Sequence, residues 1–530
     1  MKTRLLLSFI LVFLTAFIFL ITPESARAAS CTWFNGSGNW NDSSHWNCGH
    51  VPISGEDATI SDGSTVTVTS NASVGSLTLS NGTLSINASI TLTANSFSLT
   101  GGVVNGAGDL TADTINWTYG SMQGSGSTTA TSYLNFTGAE NVQLYDRTFN
   151  NAGIALWNKT GSLTLNGSAH FNNQAGASFT VQSSGATLIN GDGTINNAGA
   201  FTKTNAGNAD INLIFNNLAT GTVSVEAGML EINNHSGTTS SGTYDVHTGK
   251  TLRLSGTHNL SGSVNCTGDG TIEVNGYVNI GGSFTCGGTT SIISTQLSLT
   301  SGTATANLNI LNMSNGILTG AGALTADTIN WTYGSMQGSG STTATSHLNF
   351  TSTENVQLYD RTFNNAGIAL WNKTGSLTLN APAHFNNQAG ASFTVQPSAG
   401  TIIINGDGTF TNSGTLNLTT GSFNTVTFTQ EAGGITNLAI KGTIPVTDYC
   451  QLNSTYINLA GPLNISFTGV YVPHIGDQFT LLIYGSTRTG DYSSVNVEPL
   501  AHGYPIVFYQ DNRLHLWLME RVLIPMITNE

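Results

Sequence analysis

Residues 106–182 recur as 320–396 without a gap, and the copies differ only at Asp109/Ala323, Tyr133/His347, Gly138/Ser352, Ala139/Thr353, Gly167/Ala381 and Ser168/Pro382. Inserting such a block into a globular core would break its packing, because buried side chains interdigitate at near-crystalline density. A solenoid lengthens without that penalty, since each coil touches only its neighbours.

The local pattern agrees. Val66 and Val68, Leu77 and Leu79, Leu84 and Ile86, Ile90 and Leu92, and Phe97 and Leu99 each place two apolar side chains on one face of a short strand. Asn81-Gly82, Gly101-Gly102 and Gly106-Ala107-Gly108 stand between them, where positive φ is cheap. No segment holds a helical period. Gly262-Ser263-Val264-Asn265-Cys266 returns 20 residues later as Gly282-Ser283-Phe284-Thr285-Cys286, and Gly-Asp-Gly triplets recur at 191–193, 268–270 and 406–408. Coils repeating one turn pattern explain this better than hairpin meanders do. The expected fold is all-β, a right-handed parallel β-helix with an N-terminal Trp-rich cap and a C-terminal antiparallel β cap. At about 20 to 22 residues per coil, residues 55–440 would give roughly 18 coils, or a rod of about 85 Å at ~4.8 Å each.

Four segments are expected. Lys2 and Arg4 precede the apolar run Leu5–Ile21, and Pro23 and the small-residue site Ala26-Arg27-Ala28 favour cleavage, so residues 1–28 read as a secretory signal peptide, with an uncleaved anchor as the competing reading. Residues 29–60 form the N-terminal cap, 61–440 the solenoid with its duplicated block, and 441–530 the C-terminal β cap and tail. No second stretch is long enough to span a membrane; Val522–Ile527 is apolar but far too short. The chain is expected to be secreted or held at the cell surface.

Export makes disulfides available to Cys31, Cys48, Cys266, Cys286 and Cys450. The 20-residue step places Cys266 over Cys286 one coil apart, at a separation of ~4.8 Å that a disulfide can bridge. Cys31 and Cys48 can close a small N-terminal loop, which leaves Cys450 unpaired.

The ends carry a resemblance. Thr32-Trp33-Phe34-Asn35-Gly36-Ser37-Gly38-Asn39-Trp40, Trp46 and Val51-Pro52 resemble the Trp-rich opening of secreted bacterial β-helix surface proteins. Gly476-Asp477-Gln478-Phe479-Thr480-Leu481-Leu482, followed by Gly490-Asp491-Tyr492, is similar to the hairpin that closes autotransporter-like passenger solenoids. The resemblance implies a parallel β-helix used for adhesion or surface display, and it brings no catalytic residues and no translocator barrel.

Chemistry is sparsely represented. Only 8% of residues are charged, and Lys+Arg 14 against Asp+Glu 28 gives a net charge of -14, which argues against nucleic acid as a partner. Polysaccharide lyases and glycosidases also use this fold, so a polysaccharide-degrading enzyme is the alternative function. Such enzymes need convergent carboxylates, or acidic ligands with a base nearby. Asp113 and Glu140, Asp146 beside Arg147, and Asp245 near His247 are the densest groupings, and none pairs two carboxylates on one strand face. No catalytic residue, metal ligand or cofactor is assigned. The Gly-Asp-Gly triplets read as turns, and the Asn-rich triplets as amide ladders. Trp33, Trp40 and Trp46 read as the lid of the first coil, with stacking on sugars as the competing role.

The candidate partner is an extracellular glycan or other cell-surface polymer. Val142 and Leu144 face one way, so strand alternation puts Tyr145 and Arg147 on the opposite face or the adjoining turn. Ile154 and Leu156 face inward, which leaves Trp157 at the turn or outside. Tyr359, Arg361 and Trp371 are the second copy's counterparts. Flat aromatic faces beside a guanidinium fork suit a weak glycan site used twice, against corner packing as the competing reading.

Overall fold

Strands of about four residues cannot satisfy their own backbone polar groups, so each must pair sideways with another strand. In the computed structural model the partner is the equivalent strand of the next coil. The structure describes residues 30–183, 187–235, 239–396, 402–501 and 503–520. The expected leader and the run Val522–Ile527 lie outside the described residues. The chain is all-β, 64% strand, and makes a parallel β-solenoid of about 18 turns. It divides into two units, Met1–Asn172 and Asn173–Glu530.

In the first unit, strands Ala72–Leu79, Thr91–Leu99, Asp109–Trp117 and Ser127–Gly138 stack in parallel. Leu77 lies on Phe97, then Ile115, then Leu134; Leu79 lies on Leu99, then Trp117, then Phe136. All are buried. The stacked step varies: Asn116 lies 18 residues beyond the Ser98 it touches, and Asn172 lies 22 beyond Asn150. Trp117, Phe136 and Trp157 stack with ring centroids 5.6 and 4.8 Å apart. Losing one such ring to Ala would cost about 3–5 kcal/mol.

The N-terminal end of this unit is the Trp-rich cluster. Cys31 and Cys48 lie at disulfide distance, with Cα atoms 5.1 Å apart. Trp33 and Trp46 form an antiparallel bridge, and Trp46 donates its indole N–H to the Trp40 carbonyl at 2.9 Å. Trp33, Trp40 and Trp46 are all buried, so they cover the first coil and offer no sugar platform.

The second unit repeats the aromatic geometry in its copy of the block. Trp331 to Phe350 is 5.7 Å and Phe350 to Trp371 is 4.8 Å. A buried amide ladder runs beside it: Asn365 donates to Asn387 and Asn387 to Asn412, both at 2.8 Å. The same Nδ2 groups also donate to the carbonyls of Ser392 and Thr415. Each rung satisfies the next, which is what makes buried amides tolerable. Cys266 and Cys286 are register partners in adjacent parallel strands, at disulfide distance with Cα atoms 4.4 Å apart. Cys450 is a buried free thiol.

Parallel pairing continues past residue 440, through Gln451–Leu459 with Gln478–Gly490 and Pro462–Phe467 with Ser494–Val497. Antiparallel strands then close the unit: Arg513–Met519 pairs with both Gln478–Gly490 and Tyr504–Gln510. Asp511 and Asn512 turn the last hairpin with φ of 48° and 59°, the double left-handed signature of a type I′ turn. This hairpin covers strand edges that a bare solenoid end would leave open.

Candidate functional site

The alternation behind the expected Tyr/Arg/Trp patch fails in two places. Val142 and Leu144 are buried and Tyr145 is exposed, as expected. Asp146 then takes a left-handed backbone, φ 53°, and Asp360 does the same at φ 54°. A residue in that region breaks the in-out sequence of the strand, so Arg147 and Arg361 turn into the interior, fully buried. The strand Ile154–Lys159 runs in the opposite phase to the one expected: Ile154 is exposed and Leu156 half-buried, while Ala155 and Trp157 face the core, so Trp157 and its counterpart Trp371 are buried members of the aromatic stacks. Of Tyr145, Arg147, Trp157, Tyr359, Arg361 and Trp371, only the two tyrosines reach solvent. The expectation of an exposed patch built from all three residue types is corrected accordingly.

The interior accepts the guanidinium because every donor is used. Arg147 Nε donates to Thr128 Oγ1 at 2.8 Å, NH1 to the carbonyls of Gly106 and Gln123, and NH2 to those of Gly108 and Ser127. Arg361 makes the same five bonds to Thr342, Gly320, Gln337, Gly322 and Ser341. Burial lowers both guanidinium pKa values to about 10, so both stay charged at neutral pH. Lys203 is held likewise, its ammonium donating to the carbonyls of Asn205, Gly207 and Ala227, and burial pushes it down to about 8. His258 stays neutral: burial lowers it to about 4, Nε2 lies against the carbonyls of Ile232 and Ser255, and Nδ1 faces the Asn234 amide.

Two clefts open on the surface of the duplicated blocks, one in each unit. In the first, the exposed ring of Tyr119 lines the cleft beside Gly102 and Val103 of the preceding coil. The next coil places Asn141 and Gln143 beside Tyr119 and Ser121. Gly120, φ 97°, forms the floor; a Cβ there would lie 2.6 Å from the Gly102 carbonyl. The second unit has Tyr333, Ser335, Asn355 and Gln357 in the same places, with Asn315 in place of Gly101, and Glu354, the counterpart of Glu140 in the first copy, also lines the cleft. That cleft holds about 560 Å3 against about 260 Å3 for the first. Asn141 Oδ1 accepts from the Ser162 backbone at 2.8 Å, and Asn355 Oδ1 from Ser376 at 2.8 Å, which leaves each amide nitrogen as a donor. Tyr359 donates to Gln357 Oε1 at 2.8 Å, so this expected residue borders the second cleft.

A charged file lies elsewhere in the second unit. Asp210, Glu231, Arg253 and Glu273 are successive register partners on one outer face. Arg253 Nε donates to Glu273 at 2.8 Å, its NH1 lies 3.7 Å from Glu231, and Ser255 donates to Glu231 at 2.7 Å. Burial raises the Asp210 carboxyl above its ordinary value, and Glu231 adds to the effect. A corner groove nearby in sequence is lined by Glu226, Asp245, His247, Lys250 and Asp269, with His247 3.4 Å from Asp245.

Neither the clefts nor the file follows from neighbours in sequence. The file was readable by applying the coil step to acids as well as cysteines, since its members stand 20 to 22 residues apart. Cys31, Cys48 and His50 come within 4.8 Å of one another, but a disulfide removes the thiolates that a metal would need. No protein-family model matches the chain, and no curated protein matches it.

Proposed function

We propose that this chain is a secreted or cell-surface structural and adhesion solenoid that contacts extracellular glycans, as the resemblance of its two ends to bacterial surface β-helix proteins implies. The observation that carries the reading is the outward surface: repeated amide ladders with little charge. Asn312, Asn330 and Asn349 are joined at 2.8 Å per step, and Asn417, Asn437, Asn464 and Asn496 likewise. Such a face presents the same donors and acceptors coil after coil, which suits a repeating, hydrated partner. Two cysteine pairs at disulfide distance accord with an oxidising compartment, and among the described residues no helix is long and apolar enough to cross a membrane. The test is pull-down of purified chain on insoluble glycans and cell-wall fractions. Retention on at least one is expected; retention on none overturns the reading.

The charged file favours a second reading, a polysaccharide-degrading enzyme. Asp210 holds its proton more readily than an ordinary carboxylate, and Glu231 and Glu273 lie two coils apart, roughly 9.6 Å along the stack. Against it, Arg253 and Ser255 already occupy the glutamates. Release of reducing or unsaturated sugars from a glycan panel, abolished in Glu231→Gln, would establish this reading over the first.

A further inference from the structure

We infer that each copy of the duplicated block carries a cleft for a neutral saccharide, with Tyr119 and Tyr333 as the stacking platforms. The inference rests on the adhesion reading for the source of the ligand, and it names the site and the chemistry.

A sugar ring has an apolar face and an equatorial rim of hydroxyls, so its site needs a flat apolar surface beside donors and acceptors. Tyr119 and Tyr333 are 50% and 43% exposed, and each lines a cleft on the outer surface, whereas the tryptophans at 33, 40, 46, 117, 157, 331 and 371 are fully buried. Their backbones are fixed. The Tyr119 and Thr118 N–H groups share the Leu99 carbonyl, and those of Tyr333 and Thr332 share the Met313 carbonyl. The ring therefore projects from an anchored turn, which limits the entropy lost on binding. Asn141 and Gln143, or Asn355 and Gln357, supply amides on the adjacent coil. With the Asn141 and Asn355 oxygens already accepting from the next coil, their amide nitrogens are the donors left for sugar hydroxyl oxygens.

Charge selects among sugars. No Lys or Arg lines either cleft, and the second contains Glu354. A uronate or sulfated sugar would enter without a counter-charge and against a net charge of -14. Neutral hexose or pentose units meet no such barrier. The second cleft is the larger and gains Asn315 where the first has Gly101, so it is the tighter site.

The test is calorimetric titration of the full chain with cellohexaose, mannohexaose, xylohexaose and, as the charged comparison, hexagalacturonate. At least one neutral hexamer should bind at two sites per chain and hexagalacturonate at neither. Tyr333→Ala should remove the tighter site, Tyr119→Ala the weaker, and the double variant should lose at least tenfold in affinity. Tyr277→Ala, an equally exposed tyrosine outside the block, should bind as the unsubstituted chain does. Unchanged thermal midpoints show that all variants fold. Binding undiminished in the double variant, or binding of hexagalacturonate alone, overturns the cleft inference. If the chain is retained on insoluble glycan but binds no hexamer, the inference falls and the adhesion reading stands. If it is retained on nothing and binds nothing, both fall.

Discussion

Arg147 reaches back to Gly106, 41 residues earlier, donating from NH1 to its carbonyl at 3.1 Å, while its Nε bonds Thr128 only 19 residues back. One side chain thus ties its own coil to the two before it. Replacing Arg147 with Met should remove about 2–4 kcal/mol of stability, because buried carbonyls lose charged donors. Arg147→Lys, with three donors in place of five, should recover only part of this. Amide exchange at the corner from Gly106 to Gly126 is the measurement, and Arg361→Met should leave exchange there unchanged.

Acidification should weaken the second unit through His258. In the fold its pKa is about 4, against 6.5 for an ordinary histidine, so the unfolded chain binds a proton that the folded chain refuses. Stability from this group is full above about pH 6.5 and falls as pH drops towards 4, by roughly 3 kcal/mol in all. Urea midpoints measured across that window should slope in the native chain and flatten in His258→Gln.

Peptide mapping without reduction should recover Cys31 joined to Cys48 and Cys266 joined to Cys286. Cys450 should resist alkylation until the chain is unfolded, because its thiol is buried and burial raises its pKa well above the usual thiol range. Free alkylation of Cys266 and Cys286 in oxidised protein would contradict the observed register.

Removing the central cation of the charged file should act electrostatically. Arg253→Gln leaves Asp210, Glu231 and Glu273 without their counter-charge. The pairs are partly exposed, so the expected loss is about 1 kcal/mol or less at neutral pH, shrinking in high salt. A loss insensitive to salt would point to packing by the arginine stem instead.

The sequence carried the fold almost entirely, for a physical reason. Coil stacking depends on periodicity, and both the step from Cys266 to Cys286 and the alternation Val142/Leu144 are periodic. Site geometry depends on departures from periodicity. Nothing in Tyr145-Asp146-Arg147 announces that Asp146 is left-handed, although Asp is among the residues that tolerate that region. The cleft was hidden differently: Val103, Ser121 and Gln143 come together only because successive coils advance by 18 and then 22 residues. A uniform step of 20 misses that neighbourhood.

The arginine anchors also bear on how such a chain grows. The copied segment begins at Gly106 and Gly320, and these glycines are the most distant acceptors of Arg147 and Arg361. Every hydrogen-bond partner of each guanidinium therefore travels with it. A segment cut one coil later would carry Arg147 without Gly106, Gly108 and Gln123, three of its five acceptors. The boundary of the duplication is thus the boundary of an electrically self-contained cassette, and longer descendants of this chain would be expected to gain length in the same increment.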